Sequence, residues 1–113
     1  MVSNANELII NKNIQYPYVA SPARANKIKS EYKKVMVGMD AKEVIGILGQ
    51  PDETHPLYEP KIYKPNQIGF THLYLIQRMK ENGSVDEKKE ILVRVSYDLQ
   101  WQVKALHHWG FNE

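Results

Sequence analysis

The stretch Val37-Gly38-Met39-Asp40-Ala41-Lys42-Glu43-Val44-Ile45-Gly46-Ile47-Leu48-Gly49-Gln50-Pro51-Asp52 carries the clearest local signals in the chain. Asp40 suits the N-cap of a helix, and Glu43 follows at the spacing of a capping box. Gly49 suits the left-handed position after the last helical turn, and Pro51 prevents the helix from continuing. The stretch therefore predicts a short helix whose apolar face is formed by Val44, Ile45, Ile47 and Leu48.

A longer helix is predicted upstream, beginning at Ser21-Pro22. Serine is a favourable N-cap, and proline fits the first helical position because the N–H that it lacks would have no partner there. Apolar residues then recur at helical spacing, at Ile28, Tyr32, Val35 and Met36. We expect this stripe to be buried against a sheet.

The chain from Gly69 onward predicts three strands, because it is rich in β-branched and aromatic residues. They cover residues 69–80, 90–97 and 101–109, with a turn at 82–84 and a charged hairpin loop from Asp86 to Glu90. The sequence therefore predicts an α+β domain of order α-α-β-β-β. Both helices pack on one face of a three-stranded antiparallel meander in this arrangement.

The pairing of the last two strands follows from their alternating apolar residues. These are Ile91, Val93, Val95 and Tyr97 in one strand, and Trp101, Val103 and Ala105 in the next. A two-residue loop would place Lys104 opposite Val95 in the core, whereas the three-residue loop Asp98-Leu99-Gln100 keeps the apolar sets together. We therefore expect the pairs Tyr97–Trp101, Val95–Val103 and Val93–Ala105, with Leu92 beside Leu106 and Arg94 beside Lys104 on the opposite face.

The first strand has two different faces, and we expect the face with Leu73, Leu75 and Met79 to be buried. The outward face of the sheet then combines an apolar centre with a charged rim, a composition typical of a protein interface. The predicted partner-binding residues are His72, Tyr74, Ile76, Arg78, Leu92, Arg94, Lys104 and Leu106. The alternative is that another segment, either residues 8–10 or residues 50–68, covers this face.

Residues 50–68 predict a long loop with four prolines, Pro51, Pro56, Pro60 and Pro65. Loops of this length inside a compact domain are uncommon and are often functional. The alternative is a connector whose two tyrosines, Tyr58 and Tyr63, pack on the core.

The chain divides into an extended lead-in or tether, residues 1–20, and one domain, residues 21–113. Its net charge is +2, but residues 1–36 carry six basic and two acidic residues, and the rest carries nine basic and eleven acidic. A basic first segment suits an anionic membrane surface, although lysines on a helix usually just face water. No secretory signal is recognisable, and we expect that one was removed upstream.

Composition excludes several chemistries. Charged residues make up 25% of 113 residues and there is no cysteine, so the chain resembles a globular domain without disulfides or thiol nucleophiles. His107 and His108 are adjacent on a strand and point to opposite faces, whereas His72 and His108 could share one; the fourth histidine is His55. The acids lie at helix starts and in loops, where capping explains them. We therefore expect no catalytic residue, metal or cofactor, and no nucleic-acid partner.

The stretch quoted first resembles the motif of the SmpA/OmlA (BamE-like) family, roughly Gly-Met-Thr-x-x-x-Val-x-x-Leu-Leu-Gly-x-Pro-Asp. The matching residues are Gly38, Met39, Val44, Leu48, Gly49, Pro51 and Asp52. A second phrase, Leu92 to Asp98, resembles the family's strand that ends in an aromatic residue and aspartate, so the resemblance covers about residues 28–107. The chain lacks the family's lipid-anchor cysteine and the usual Asn-Gly after Asp98. The β-lactamase-inhibitor-protein (BLIP) fold repeats the same unit.

The resemblance implies a non-catalytic protein of the cell envelope. Family members are commonly outer-membrane lipoproteins of Gram-negative bacteria that support the assembly of β-barrel proteins. It therefore predicts a protein partner, a periplasmic or outer-membrane location and a membrane tether through a missing lipid anchor. The alternative is a BLIP-like inhibitor or immunity protein that blocks an enzyme or toxin, and a cytoplasmic location is kept open. An open sheet also has free edges, which allow a homodimer.

Overall fold

In a computed structural model, which describes residues 8–60, 63–78 and 90–111, two helices pack on an antiparallel sheet. The elements are β1 (Tyr18–Val19), α1 (Pro22–Glu31), a 3-10 turn (Tyr32–Lys34), α2 (Ala41–Leu48), β2 (Glu53–Tyr58), β3 (Gln67–Arg78), β4 (Ile91–Asp98) and β5 (Val103–Trp109). The α+β class is confirmed. The strand count of three is wrong, because the sheet has five strands.

Two strands that the sequence analysis missed pair with the same edge of β3. The strand β2 pairs with its first half, from Glu53 opposite Leu73 to Tyr58 opposite Gln67, and β1 pairs with Gln77 and Arg78. The prediction of a loop over residues 50–68 is therefore wrong for β2. Pro56 argued against a strand in the sequence, because proline has no N–H to donate to a neighbouring strand. It is tolerated here because β2 lies at the edge of the sheet.

Local helix signals act as predicted. The Ser21 hydroxyl accepts a hydrogen bond from the backbone N–H of Arg24, and Asp40 and Glu43 form a complete capping box. Gly49 ends α2 with φ of 89°. Met36 was expected in the buried stripe and is 67% exposed. The helical period is lost before Met36, because α1 passes into a 3-10 turn and the backbone is extended at Val35.

The helices cover one face of the sheet, called here the helix face. Its buried side chains belong to one cluster with α1 and α2 that includes Tyr74, Ile76, Val93, Val95 and Tyr97. Burial of Val93, Val95 and Tyr97 was predicted and is confirmed. The opposite face, called here the open face, has a smaller cluster of Leu73, Leu75 and Leu92.

The predicted faces of β3 are therefore inverted. Tyr74 lies opposite Val93 and His72 lies opposite Val95, so both share the helix face and are fully buried. Leu73 and Leu75 take the open face. A β-bulge between Leu75 and Gln77 then turns Arg78 onto the open face, beside Tyr18. Met79 and the turn predicted at 82–84, with most of the charged hairpin loop, lie outside the described residues.

The predicted pairing of β4 with β5 is also wrong. Tyr97 lies opposite Val103 and Val95 lies opposite Leu106, with a register shift that leaves Lys104 without a partner. The cause is the turn, since Trp101 has φ of 61° and belongs to it. Leu106 consequently packs against the helix-face cluster, and Arg94 lies opposite His107 instead of Lys104.

The stretch from Val37 to Asp52 connects α2 to the β4–β5 turn. Gly38, whose φ of 92° is unfavourable for other residues, donates its N–H to the Val103 carbonyl at 2.7 Å. Val103 donates in return to the Met39 carbonyl at 2.8 Å, and Ala41 donates to the Trp101 carbonyl at 2.9 Å. The glycine therefore permits a short ladder that fixes the start of α2 on the sheet.

Asp52, the last residue of the phrase, joins the sheet to α1. Its buried carboxylate accepts the N–H of Leu75 at 2.7 Å and a guanidinium N–H of Arg24 at 2.9 Å. Lys12 lies 3.5 Å from the other carboxylate oxygen. A buried charge requires such partners, because desolvation otherwise costs several kcal/mol.

The described part of the lead-in, residues 8–20, is docked on the domain. Leu8 is buried in the helix-face cluster, and its carbonyl accepts hydrogen bonds from His72 and from the Thr54 hydroxyl. Farther along, Ile14 and Tyr18 pack against the open-face cluster. Both sheet faces therefore use side chains from this segment.

Candidate functional site

A groove of about 410 Å³ crosses the open face of the sheet, a size within the usual range of ligand sites. Side chains from four strands contribute to it, together with Glu90 just before β4. The lining residues are His55, Pro56, Leu57, Thr71, Leu73, Arg78, Glu90, Leu92, Arg94 and Trp109. Both helices lie on the other face of the sheet, so neither of them covers the groove.

The floor of the groove is apolar and comes from the two central strands. Leu73 on β3 and Leu92 on β4 are both buried in the open-face cluster. Ile14 and Tyr18 cover this cluster from one side, and Leu57 extends the apolar surface on β2. The floor therefore lies on strands whose backbones are already hydrogen-bonded to each other in the sheet.

Arg78 is an internal part of the groove wall, with a side chain only 4% exposed. Its Nε donates to a Glu90 carboxylate oxygen at 2.5 Å, and its Nη1 donates to Glu53 at 3.3 Å. Burial by itself would lower the pKa of this guanidinium, but hydrogen bonds from its N–H groups to Glu90 and the nearby Tyr16 hydroxyl hold that pKa above its usual value. Arg78 therefore has two carboxylate partners within the protein.

Glu53 has two further polar neighbours. The Nε2 of His55 lies 3.0 Å from one of its carboxylate oxygens, and the Tyr16 hydroxyl donates to the other at 3.5 Å. His55 is the more exposed member of its pair, with 43% of its side chain accessible against 17% for Glu53. The carboxylate of Glu53 is thus held by groups from three parts of the chain.

Arg94 differs from Arg78 because it has no acidic partner among the described residues. Its guanidinium carbon lies 5.3 Å from the centre of the Trp109 ring, a cation–π arrangement. Its Nε is buried and makes no hydrogen bond with the described part of the chain. Trp109 itself is 40% exposed. Arg94 is therefore the arginine of the groove that has no ion-pair partner among the described residues.

The eight predicted partner-binding residues are divided among three places. Arg78, Leu92 and Arg94 line the groove. His72, Tyr74 and Ile76 are buried on the helix face, and Leu106 packs against the same cluster, so their predicted exposure is wrong. Lys104 is exposed at the bulge of β5, away from the groove.

Tyr74 and His72, which were predicted to face outward, make hydrogen bonds within the core. The Tyr74 hydroxyl donates to the Gly49 carbonyl at 2.9 Å, and burial raises its pKa well above the usual range. Burial likewise raises the pKa of Tyr97. Burial lowers the pKa of His72, against an opposing effect from the hydrogen bond with the Leu8 carbonyl.

Sequence reasoning missed Trp109, Leu57 and His55 as groove residues. His55 and Leu57 alternate correctly for one face of a strand, but Pro56 between them hid that strand. Trp109 shares the face of Arg94 once the bulge at Lys104 is included. The alternation of side chains between the two faces can be predicted from the sequence, whereas the bulge at Lys104 cannot.

Other kinds of site have less support within residues 8–60, 63–78 and 90–111. No three histidine or acidic side chains among them converge as metal ligands. No helix in these ranges is long and apolar enough to cross a membrane. The chemistry that the open face offers is an apolar floor, an arginine held by two carboxylates and a second arginine without an acidic partner among the described residues.

No protein-family model matches the sequence, and searches of curated proteins and of solved structures find no significant match.

Proposed function

We propose that this protein is a non-catalytic protein-binding or scaffolding module of the cell envelope, and that it holds its partner on the open face of the sheet. The observation that carries the proposal is the groove itself, with the apolar floor of Leu73 and Leu92 beside Arg94 and Trp109. Tryptophan and arginine are the residue types that most often dominate binding energy at protein interfaces. Apolar side chains surrounded by charged ones also match the anatomy of such surfaces.

The resemblance to BamE-like proteins supports the envelope assignment. Its phrase has a structural role here, since Gly38 and Met39 pair with β5 and Asp52 joins α1 to β3. Two helices followed by the antiparallel strands β3, β4 and β5 are compatible with that family's order of elements, to which this chain adds β1 and β2. On this basis we propose a periplasmic or outer-membrane location with a lipid-anchored tether at the N-terminal side.

A second candidate is a BLIP-like inhibitor or immunity protein that blocks an enzyme or toxin. The observation that favours it is the cation–π pair of half-buried Arg94 and exposed Trp109, because aromatic and arginine anchors that are already in position suit tight inhibitory interfaces. The two candidates use one surface and differ in the partner.

Site-specific photo-crosslinking in cells of the source organism tests the proposal. A benzophenone side chain at Leu57 reports on the groove, and the same group at Val37, which is exposed outside it, is the control. We expect Leu57 to capture a defined envelope protein that Val37 does not capture. Capture of an enzyme or toxin at Leu57 would favour the second candidate. Defined adducts from Val37 alone would exclude the groove as the binding surface.

A further inference from the structure

We propose that the groove recognises an extended partner segment through one acidic side chain, an aspartate or glutamate, flanked by apolar residues. This inference deepens the proposed function and rests on it. The carboxylate pairs with Arg94, and the flanking apolar side chains lie on Leu73, Leu92 and Trp109.

The ion pairs of the groove leave Arg94 as the cation that a ligand carboxylate can meet. Arg78 is paired with Glu90 at 2.5 Å and with Glu53 at 3.3 Å, so its guanidinium is already held by two carboxylates. Arg94 has no acidic partner among the described residues, and its Nε is buried without a hydrogen bond. Because no acidic side chain of the described residues holds the Arg94 guanidinium, a ligand carboxylate can pair with it without displacing an ion pair of the protein.

Glu90 limits the charge of that ligand. It lines the same groove as Arg94 and repels anions, so a singly charged carboxylate is favoured over a phosphate, which carries nearly two charges. A chain-terminal carboxylate is usually held by converging backbone N–H groups. The β3 and β4 backbones beneath the groove are instead paired within the sheet. These observations favour an acidic side chain.

The position of the Arg94 guanidinium also suits the binding of a planar carboxylate. Its guanidinium lies over the Trp109 ring at 5.3 Å, which restricts its orientation and shields one side from water. A carboxylate forms two parallel hydrogen bonds with a guanidinium held in this way. Lys104 offers a comparable charge, but it is exposed at a bulge and has no such arrangement.

Selection from a displayed library of random heptapeptides tests the inference with the full chain. We expect the wild-type protein to enrich peptides with one Asp or Glu between apolar residues. Arg94→Gln should lose this enrichment, whereas Lys104→Gln, which removes the same charge outside the groove, should retain it. Circular dichroism and thermal melting establish that both variants are folded.

Synthetic versions of the enriched peptide then identify the chemistry. Replacing its acid by Asn or Gln should weaken binding about tenfold, the effect of losing one charge-assisted hydrogen-bonded pair, and a phosphoserine there should bind more weakly than the acid. Failure to enrich an acid, equal enrichment by Arg94→Gln, or tighter binding of phosphoserine would overturn the inference. If Leu57 still captures an envelope partner, the proposed function survives that result.

Discussion

His72 was predicted to bind a partner, but it is buried and forms two hydrogen bonds in the core. The Leu8 carbonyl can only accept, so Nε2 carries the proton and donates to it at 2.6 Å. Nδ1 then accepts from the Tyr97 hydroxyl at 3.0 Å. The neutral ring therefore joins the N-terminal segment, β3 and β4, and its protonation is disfavoured.

Stability should consequently fall in mild acid. Burial lowers the pKa of folded His72 below the ordinary 6.5, so the unfolded chain takes up the proton first as the pH decreases. The contribution is complete above about pH 6.5 and is lost as the pH falls toward the lower folded pKa. Urea unfolding from about pH 8 to about pH 5 measures this slope. His72→Gln should flatten it, and an equal slope in the wild-type protein and in His72→Gln would contradict the assignment.

Tyr74 tests the orientation of β3. Because its ring is fully buried on the helix face, Tyr74→Ala should lower the free energy of unfolding by about 3–5 kcal/mol. Tyr74→Phe removes only the hydrogen bond to Gly49 and should cost about 1 kcal/mol, plus the effect of leaving that carbonyl unpaired. Denaturant titration distinguishes the two. An Ala variant as stable as wild type would mean that Tyr74 faces outward.

At the scale of secondary-structure elements, two glycines have opposite requirements. A Cβ at Gly69 would lie 1.8 Å from the Tyr97 carbonyl oxygen, whereas a Cβ at Gly46 would meet nothing within 4 Å. Gly69→Ala should therefore disrupt the β3–β4 pairing. Gly46→Ala should stabilise α2 by about 0.5–1 kcal/mol, because alanine is the better helix former. Thermal unfolding should shift in opposite directions, and a neutral Gly69→Ala would refute the close approach of the strands.

The N-terminal segment behaves as an element of the domain and can be tested with neighbouring residues. Leu8 is buried in the helix-face cluster, and Ile9 is 47% exposed. Leu8→Ala should lower the free energy of unfolding by about 2–5 kcal/mol, whereas Ile9→Ala should lower it by less than about 1 kcal/mol. Amide hydrogen exchange at Thr54, whose N–H is bonded to Asn11, should accelerate in the Leu8 variant. Equal effects of the two substitutions would show that Leu8 is not docked.

At the scale of the whole molecule, one face of the sheet carries the larger core and the other carries the groove to which we assign partner binding. The helix face holds the larger cluster with α1 and α2, and the open face holds a smaller cluster beside the groove. Adjacent residues on β4 point to these opposite faces. A single strand therefore offers a direct comparison of the two roles.

Val95 and Arg94 are the neighbours for this comparison. Val95→Ala should lower the free energy of unfolding by about 1–3 kcal/mol through a core cavity and leave peptide preference unchanged. Arg94→Gln should change stability by less than about 1 kcal/mol and abolish the preference for an acid. Calorimetry and peptide titration on each variant provide the measurements. Loss of peptide preference in Val95→Ala while the fold is intact would show that the faces are coupled.

The features predicted correctly from the sequence are those that depend on a few consecutive residues. The caps at Ser21 and Asp40 and the stop at Gly49 are set by backbone groups within one turn, so they are readable without the fold. The buried face of β4 was also readable, because its apolar residues alternate with Arg94 and Ser96. These signals suffice for an α+β chain with two helices.

Only the tertiary structure decided the remaining features, because they depend on distant partners. Both faces of β3 are apolar, so pairing with β4 and the position of the helices select which face is covered. Bulges at β3 and β5 shift the parity by one residue and place Arg78 and Trp109 on the open face. The groove exists because strands from separate parts of the chain meet there, and no local pattern encodes that meeting.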